Sequence, residues 1–148
     1  MSEPLEYDIA LSFAGEDRPY VDAVAHLLRD KGIKVFYDAF EEAKLLGKNL
    51  YDYLSDLYAN KALFTIMFIS EHYGKKLWTD LERQAMQSRA FREKQEYILP
   101  VRFDDTKIPG LLDIIGYLSL KTRTPEQLVA VIEEKLKQRK SADAASAI

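Results

Sequence analysis

Trp78 and Glu82 lie four residues apart in a segment of helical periodicity, which puts an indole and a carboxylate one turn apart on one face. A flat apolar platform beside a single negative charge suits a ligand that combines an aromatic ring with a developing cation. The spacing alone is a weak signal, because Trp-x-x-x-Glu recurs on many helices by chance. Two features raise it. The pair follows the apolar run at 62–69, and the core stripe of its helix is already supplied by Leu77, Leu81 and Ala85, which turns Trp78 and Glu82 sideways. The bland alternative makes Glu82 a solvated neighbour of Arg83 and Trp78 ordinary core.

Five apolar segments alternate with helical patterns and must position this pair. Residues 7–13 alternate and end in small polar side chains, 33–37 are short and β-rich, and 97–103 and 117–120 supply a fourth and a fifth strand. Residues 62–69 are nearly continuous in apolar side chains, the mark of a strand covered on both faces. Between them the period becomes 3.6. Val21, Val24, Ala25 and Leu28 form one stripe, closed by Gly32 at the position after the helix end. Leu50, Leu54, Leu57 and Lys61 form another, with Asn60 as its left-handed stop. In the last helix Thr124 is the cap, Pro125 the first position and Gln127 the return half of a capping box. Its stripe is Leu128, Val131, Ile132 and Leu136, and Lys135, Lys137, Arg139 and Lys140 stand at the negative end of its dipole.

The folded domain is expected over 1–140, with 141–148 a small-residue flexible tail or the start of a linker. Strand–helix alternation predicts an α/β fold: a flavodoxin-like five-stranded parallel sheet, order 2-1-3-4-5, with helices on both faces. Ligands of such sheets bind outside the carboxyl ends of the strands. The stretches to interrogate are therefore 13–18, 38–48, 70–78 and 104–109.

Composition removes several chemistries. The chain has 148 residues, a hydrophobic fraction of 47% and a charged fraction of 30%, which is one globular domain with a sizeable core. A net charge of -3 speaks against a nucleic-acid partner. Cysteine is absent and His26 and His72 are the only histidines, so thiolate or histidine-rich metal sites and a cysteine nucleophile are excluded. The acidic first residues are the opposite of a secretion signal, and no apolar run approaches the roughly 18 residues of a membrane span. A cytoplasmic protein with no membrane contact is expected. The six glycines are scattered, so neither a dinucleotide fingerprint nor a phosphate loop exists. A phospho-receiver needs acidic residues where this chain has Ser12-Phe13-Ala14 and Ile69-Ser70.

At the strand ends each functional reading has a plain counterpart. Glu16 and Asp17 suit the first turn of a helix, with Asp17 as an N-cap. Arg18 follows them with a guanidinium able to reach a phosphate. Asp38 is either a turn residue or a ligand for a ribose hydroxyl. Lys48 is either a solvated lysine or part of the crevice.

Together these motifs resemble TIR (Toll/interleukin receptor/resistance) domains, specifically the bacterial ones. The resemblance is carried by Leu-Ser-Phe-Ala-Gly-Glu-Asp-Arg (11–18), Val-Phe-Tyr-Asp (35–38), Gly47-Lys48, the long third strand ending in Ile69-Ser70, and Trp78-x-x-x-Glu82. Leu99-Pro100-Val101-Arg102-Phe103 and Ile108-Pro109-Gly110 continue it, so that it covers residues 5 to 138. The chain departs from many bacterial relatives at Leu46, where they carry Trp, and at Asn49-Leu50, where some animal members place an aromatic that Tyr51 could replace.

The resemblance implies either of two functions. Some members are scaffolds that act by self-association. Others cleave the N-glycosidic bond of NAD to nicotinamide and ADP-ribose or a cyclised form of it, in antiviral defence or cell-death signalling. On that reading Glu82 is catalytic, Phe13, Ala14, Arg18, Asp38, Lys48, Ser70 and Trp78 bind substrate, NAD is a substrate and not a cofactor, and no metal is needed. The partners implied are further copies of the chain, as an oligomer or filament, and a sensor or effector domain or partner protein. The chemistry agrees. Nicotinamide leaves as a neutral molecule and needs no general acid, so one carboxylate suffices where an O-glycosidase uses two. That carboxylate holds the ribose hydroxyls and stabilises the oxocarbenium charge. A small nucleotide-binding regulator without turnover is a third reading, and it lacks any phosphate loop.

The loop at 39–46 holds Phe40, Leu45 and Leu46 between charged residues. These fold back on the sheet edge, or they stay exposed and dock on a neighbouring protomer near Trp78 and Glu82.

Overall fold

The computed structural model describes residues 5–76, 98–108 and 116–146. Along the chain come β1 (Tyr7–Ser12), α1 (Arg18–Asp30), β2 (Val35–Phe36), α2 (Glu42–Leu45) and α3 (Leu50–Asp56). They are followed by β3 (Ala62–Ile69), α4 (Glu71–Lys76), β4 (Ile98–Arg102), β5 (Leu118–Ser119) and α5 (Pro125–Ser146). All strand pairs are parallel and the order is β2-β1-β3-β4-β5, as the alternation predicts. Ile9 of β1 stands between Val35 of β2 and Phe64 of β3, and Ile66 of β3 pairs with Leu99 of β4.

The central strand explains its own sequence. Seven of the eight residues of β3 are buried, because helices cover both faces of the sheet. On one face Val21, Val24, Ala25 and Leu28 of α1 and Leu128, Val129, Ile132 and Leu136 of α5 close over Ile9, Leu11, Phe64, Ile66 and Phe68. On the other, Leu57, Tyr58, Tyr73 and Ile108 pack with Ala10, Phe36, Met67 and Ile69. Among the described residues no helix is long and apolar enough to cross a membrane.

Helix ends follow the local chemistry. Gly32 adopts φ +78, its N–H bonds to the Arg29 carbonyl at 2.9 Å and the Ile33 N–H bonds to the Leu28 carbonyl at 3.1 Å. These two bonds close α1 in a Schellman motif, whose left-handed residue favours glycine. At α5 the Thr124 N–H donates to Gln127 Oε1 at 2.8 Å and the Gln127 N–H donates to Thr124 Oγ1 at 3.2 Å, completing the capping box.

Four expectations are corrected. Val131 is 37% exposed and Val129 takes its place in the core, because the buried face of α5 is shifted by part of a turn. Asn60 is no left-handed stop: it lies within a π-helical turn, Leu57–Lys61, and its Nδ2 donates to Asp56 Oδ1 at 2.8 Å. The second strand pairs over two residues only, and Tyr37 leaves it in an extended conformation. Lastly, α5 continues through Ser146, six residues beyond Lys140, so the basic residues lie inside the helix and not in its last turn. Alanines at 142, 144 and 145 favour that continuation, and Arg139 pairs with Asp143 one turn on at 3.3 Å.

Candidate functional site

The carboxyl ends of β1 and β2 bring together Phe13, Arg18, Tyr37 and Asp38. Arg18 opens α1 after a 3-10 turn at Gly15–Asp17, and Asp38 opens a 3-10 turn directly after β2 and Tyr37. Since β1 and β2 are neighbours in the sheet, the two loops face one another across a short gap. Arg18 spans it with a two-pronged ion pair, Nη1 to Asp38 Oδ1 at 2.9 Å and Nη2 to Asp38 Oδ2 at 2.8 Å. Nη1 also donates to Tyr37 Oη at 3.0 Å, and Tyr37 in turn donates to Asp22 Oδ1 at 2.9 Å. The guanidinium carbon stands 5.0 Å from the Phe13 ring centre and 5.6 Å from that of Tyr37, within cation–π range of both.

This group is charged yet reachable. The Arg18 and Asp38 side chains keep 43% and 45% of their exposure. Asp38, first of all, holds the Arg18 guanidinium more firmly protonated than usual. Tyr37 is fully buried, and burial foremost pushes its phenol up, with the bond to Asp22 adding to that and Arg18 opposing it. Phe40 braces Tyr37 edge-on at 5.0 Å, and Arg29 lies 4.1 Å over the other ring, so the cluster is backed by a packed wall. An aromatic face, a guanidinium and a carboxylate at one strand-end crevice can receive a ligand with a ring, a phosphate and hydroxyls.

Other sequence-predicted residues have different surroundings. Ser70 is buried at the end of β3; its Oγ donates to Asp17 Oδ2 at 2.6 Å and accepts from the Tyr73 N–H at 3.1 Å. Its hydroxyl proton is therefore committed within the fold. Asp17 stands at the N-cap position of α1, but its side chain makes no cap bond there and turns to Ser70 instead. Ala14 is buried among the residues of the second face, and its carbonyl accepts the Asp17 N–H at 2.9 Å. Lys48 does not join Arg18 and Asp38. Its ammonium lies 5.4 Å over Tyr53, and Tyr53 packs against the opposite face of the sheet from Tyr37. Trp78 and Glu82 lie outside the described residues.

The 39–46 loop resolves in favour of folding back. Phe40 packs on the first-face core and Leu45 on the second; Leu46 alone of the three is exposed, at 85%. Lys44 ties the loop to the start of β1, donating to Tyr7 Oη at 3.0 Å and pairing with Glu6 at 3.3 Å. Sequence reasoning did not single out Tyr37, Asp22 or Tyr73. For Tyr37 the signal was available, as it immediately precedes Asp38 where the second strand ends. After β4, Asp104 accepts from the Glu71 and Thr106 backbone N–H groups at 2.9 and 3.0 Å. Burial raises its carboxyl, but these bonds outweigh that and hold it below the usual carboxylate range.

A family model for the TIR domain matches residues 9–136. The chain belongs to the TIR domain family. It is 64% identical over 133 residues to the 3' cyclic ADP-D-ribose synthase AaTIR of Aquimarina amphilecti, across 90% of this chain and 41% of that one. Identity with the 2' cyclic ADP-D-ribose synthase BtTIR of Bacteroides thetaiotaomicron is 34% over 103 residues, 69% of this chain and 34% of the other. The NAD(+) hydrolase TirS of Staphylococcus aureus is 30% identical over 102 residues, 67% and 35% of the two chains. This TIR domain thus spans less than half the length of these curated relatives. Among solved structures it resembles the TIR domain of the Toll-related receptor TRR-2 of Hydra magnipapillata, with TM-score 0.64, 20% identity and coverage of 90% and 97%. It also resembles a metazoan TIR-STING receptor of C. gigas, with TM-score 0.66, 16% identity and coverage of 89% and 41%. Those two likenesses concern the fold alone.

Proposed function

We propose that this TIR domain breaks the nicotinamide–ribose bond of NAD and closes the remainder into a cyclic ADP-ribose, with Glu82 as the catalytic carboxylate. The observation that carries the reading is the 64% identity over 133 residues to a protein named as a cyclic ADP-ribose synthase. The strand-end cluster supports it, since Arg18 suits a pyrophosphate oxygen, Asp38 a ribose hydroxyl and Phe13 a ring face. In the reaction the glycosidic electron pair goes to the pyridinium nitrogen, so nicotinamide departs neutral. A hydroxyl of the same molecule, or water, then bonds to the ribose carbon and loses its proton. Turnover of this kind drains NAD or makes a cyclic nucleotide signal, which is the basis for placing the chain in antiviral defence or cell-death signalling.

The test is incubation of concentrated purified protein with NAD, with products separated by chromatography. Free nicotinamide and a cyclic ADP-ribose are expected. No nicotinamide at any enzyme concentration would overturn the reading and leave a non-catalytic scaffold. Arg18→Lys refines it by keeping the charge and losing the fork. A pair this exposed contributes at most about 1 kcal/mol to stability. The melting temperature should therefore move little, while kcat/KM for NAD falls by about tenfold, the effect of about 1.4 kcal/mol of lost binding.

Self-association belongs to the same proposal. Leu46 is the apolar residue that the loop leaves open, beside Gly47 at φ +85. A contact repeated head to tail through it would build open assemblies. Specific activity should rise with enzyme concentration, and Leu46→Asp should abolish the rise. Activity independent of concentration, in a protein monomeric by light scattering, excludes the shared contact.

A further inference from the structure

We infer that Tyr37, held in turn by Asp22, is the positioning residue that aims Arg18 at the phosphate oxygens of the substrate; the inference rests on the NAD cleavage proposed above. Arg18 and Asp22 are four residues apart on α1, a spacing at which a guanidinium and a carboxylate can pair directly. Here the Tyr37 phenol stands between them, and the direction of each bond follows from its chemistry. A guanidinium only donates, so Tyr37 Oη accepts from Arg18 Nη1 at 3.0 Å. Burial, above all, pushes the phenol's titration up, so it keeps its hydrogen at neutral pH. That one hydrogen goes to Asp22 Oδ1, at 2.9 Å. The other oxygen of Asp22 lies 3.4 Å from His26 Nδ1, so the acceptor is itself held. The Tyr37 ring is fully buried, with Phe40 edge-on to it at 5.0 Å. Phe40 in turn meets His26 edge-on at 5.1 Å and Arg29 at 4.1 Å above its ring.

What the phenol controls is the edge of the guanidinium left for a ligand. Asp38 takes Nη1 and Nη2 together, at 2.9 and 2.8 Å, so it covers the far end of the group. Nη1 carries two hydrogens, and the second is the one that Tyr37 accepts. Among the described residues these bonds leave Nε–H and the outer hydrogen of Nη2, which are parallel and lie along one edge. Two parallel donors match two oxygens on one phosphorus. The Phe13 and Tyr37 rings flank the group, at 5.0 and 5.6 Å from the guanidinium carbon. An ion pair between partly exposed side chains has several arrangements of similar energy. The Tyr37 bond selects one of them. Without it, Asp22 can reach across one helical turn and compete with Asp38 for Nη1.

Tyr37→Phe keeps the ring and removes the hydroxyl. KM for NAD is expected to rise about fivefold with kcat within about twofold of wild type, the pattern of lost substrate binding. Rates are measured well below the melting temperature. Asp22→Ala should give a similar rise, since it leaves the phenol's hydrogen without its acceptor. Asp22→Asn keeps an oxygen acceptor and should recover most of that loss. Asp22→Ala serves if Tyr37→Phe fails to fold, because the Asp22 side chain is only half-buried and alanine suits a helix. A tyrosine that merely packs would lower the melting temperature and leave KM where it is. Wild-type KM in a folded Tyr37→Phe or Asp22→Ala overturns the positioning role, as does an Asp22→Asn no better than Asp22→Ala. If wild type releases no nicotinamide, the proposed function fails and this inference fails with it. Wild-type turnover with KM unmoved by these substitutions removes this inference alone.

Discussion

Glu82→Gln should lower nicotinamide release by on the order of 10² or more, with melting temperature and circular dichroism unchanged. The substitution keeps the shape and removes the charge, so it isolates electrostatics. As the glycosidic bond lengthens, positive charge gathers on the ribose, and a fixed carboxylate at that point stabilises the transition state more than the ground state. Losses of 10²–10³ are typical when one such group is removed from a closed site, equivalent to about 3–4 kcal/mol of barrier. The effect should appear in kcat, since a neutral amide can still accept a hydroxyl hydrogen bond in the ground state. Initial rates across a range of NAD concentrations decide the matter. Activity within a few-fold of wild type would remove Glu82 from the chemistry.

Phe68→Ala should cost about 3–5 kcal/mol, the largest stability effect of any single substitution considered, because a fully buried ring is lost and its surroundings collapse only in part. Phe68 is part of β3, with its ring 6.2 Å from that of Phe103 in a stacked arrangement and 6.4 Å from Tyr20 edge-on. Phe103 and Tyr20 also meet, at 5.2 Å, so the three rings form one unit between the sheet and α1. Tyr20 then donates to the Arg123 carbonyl at 3.0 Å, joining α1 to the turn that starts α5. Denaturant titration should show a lower midpoint with an unchanged slope. A loss below about 1 kcal/mol would mean that the ring cluster does not organise this face, since even partial relaxation leaves most of the transfer energy missing.

The sequence made the frame readable and the side-chain pairings largely unreadable, for a physical reason. The succession of elements follows from local signals: the unbroken apolar β3, the stripes of α1 and α5, Gly32 and the Thr124 box all act within a few residues of themselves. The Arg18–Asp38 pair joins residues 20 apart and depends on how the β1 and β2 loops face each other, which no periodicity encodes. Arg18 therefore read as an open cation when it is already held by a carboxylate and two rings. Ser70 reads as a substrate ligand through the family resemblance, and in the fold its proton goes to Asp17. Lys48 reads as a substrate contact through the family resemblance alone, and in the fold its ammonium settles over Tyr53 on the other face. Phe40 and Leu45 illustrate the same limit. A loop rich in charge looks unable to hide apolar groups until the fold supplies walls on both sides of the sheet edge.

The lengths of the outer strands carry a consequence for handling this domain at high concentration. β2 and β5, which bound the sheet, are two residues each, while the strand at its centre has eight. An edge recruits a foreign strand in proportion to the ladder of free N–H and C=O groups it displays. Two residues offer too short a template for cross-β growth, and the eight-residue apolar strand that could seed it is enclosed by neighbours on either side. Among the described residues the sheet edges therefore offer little backbone for one copy to zip onto another, which leaves contacts between copies to side-chain surfaces.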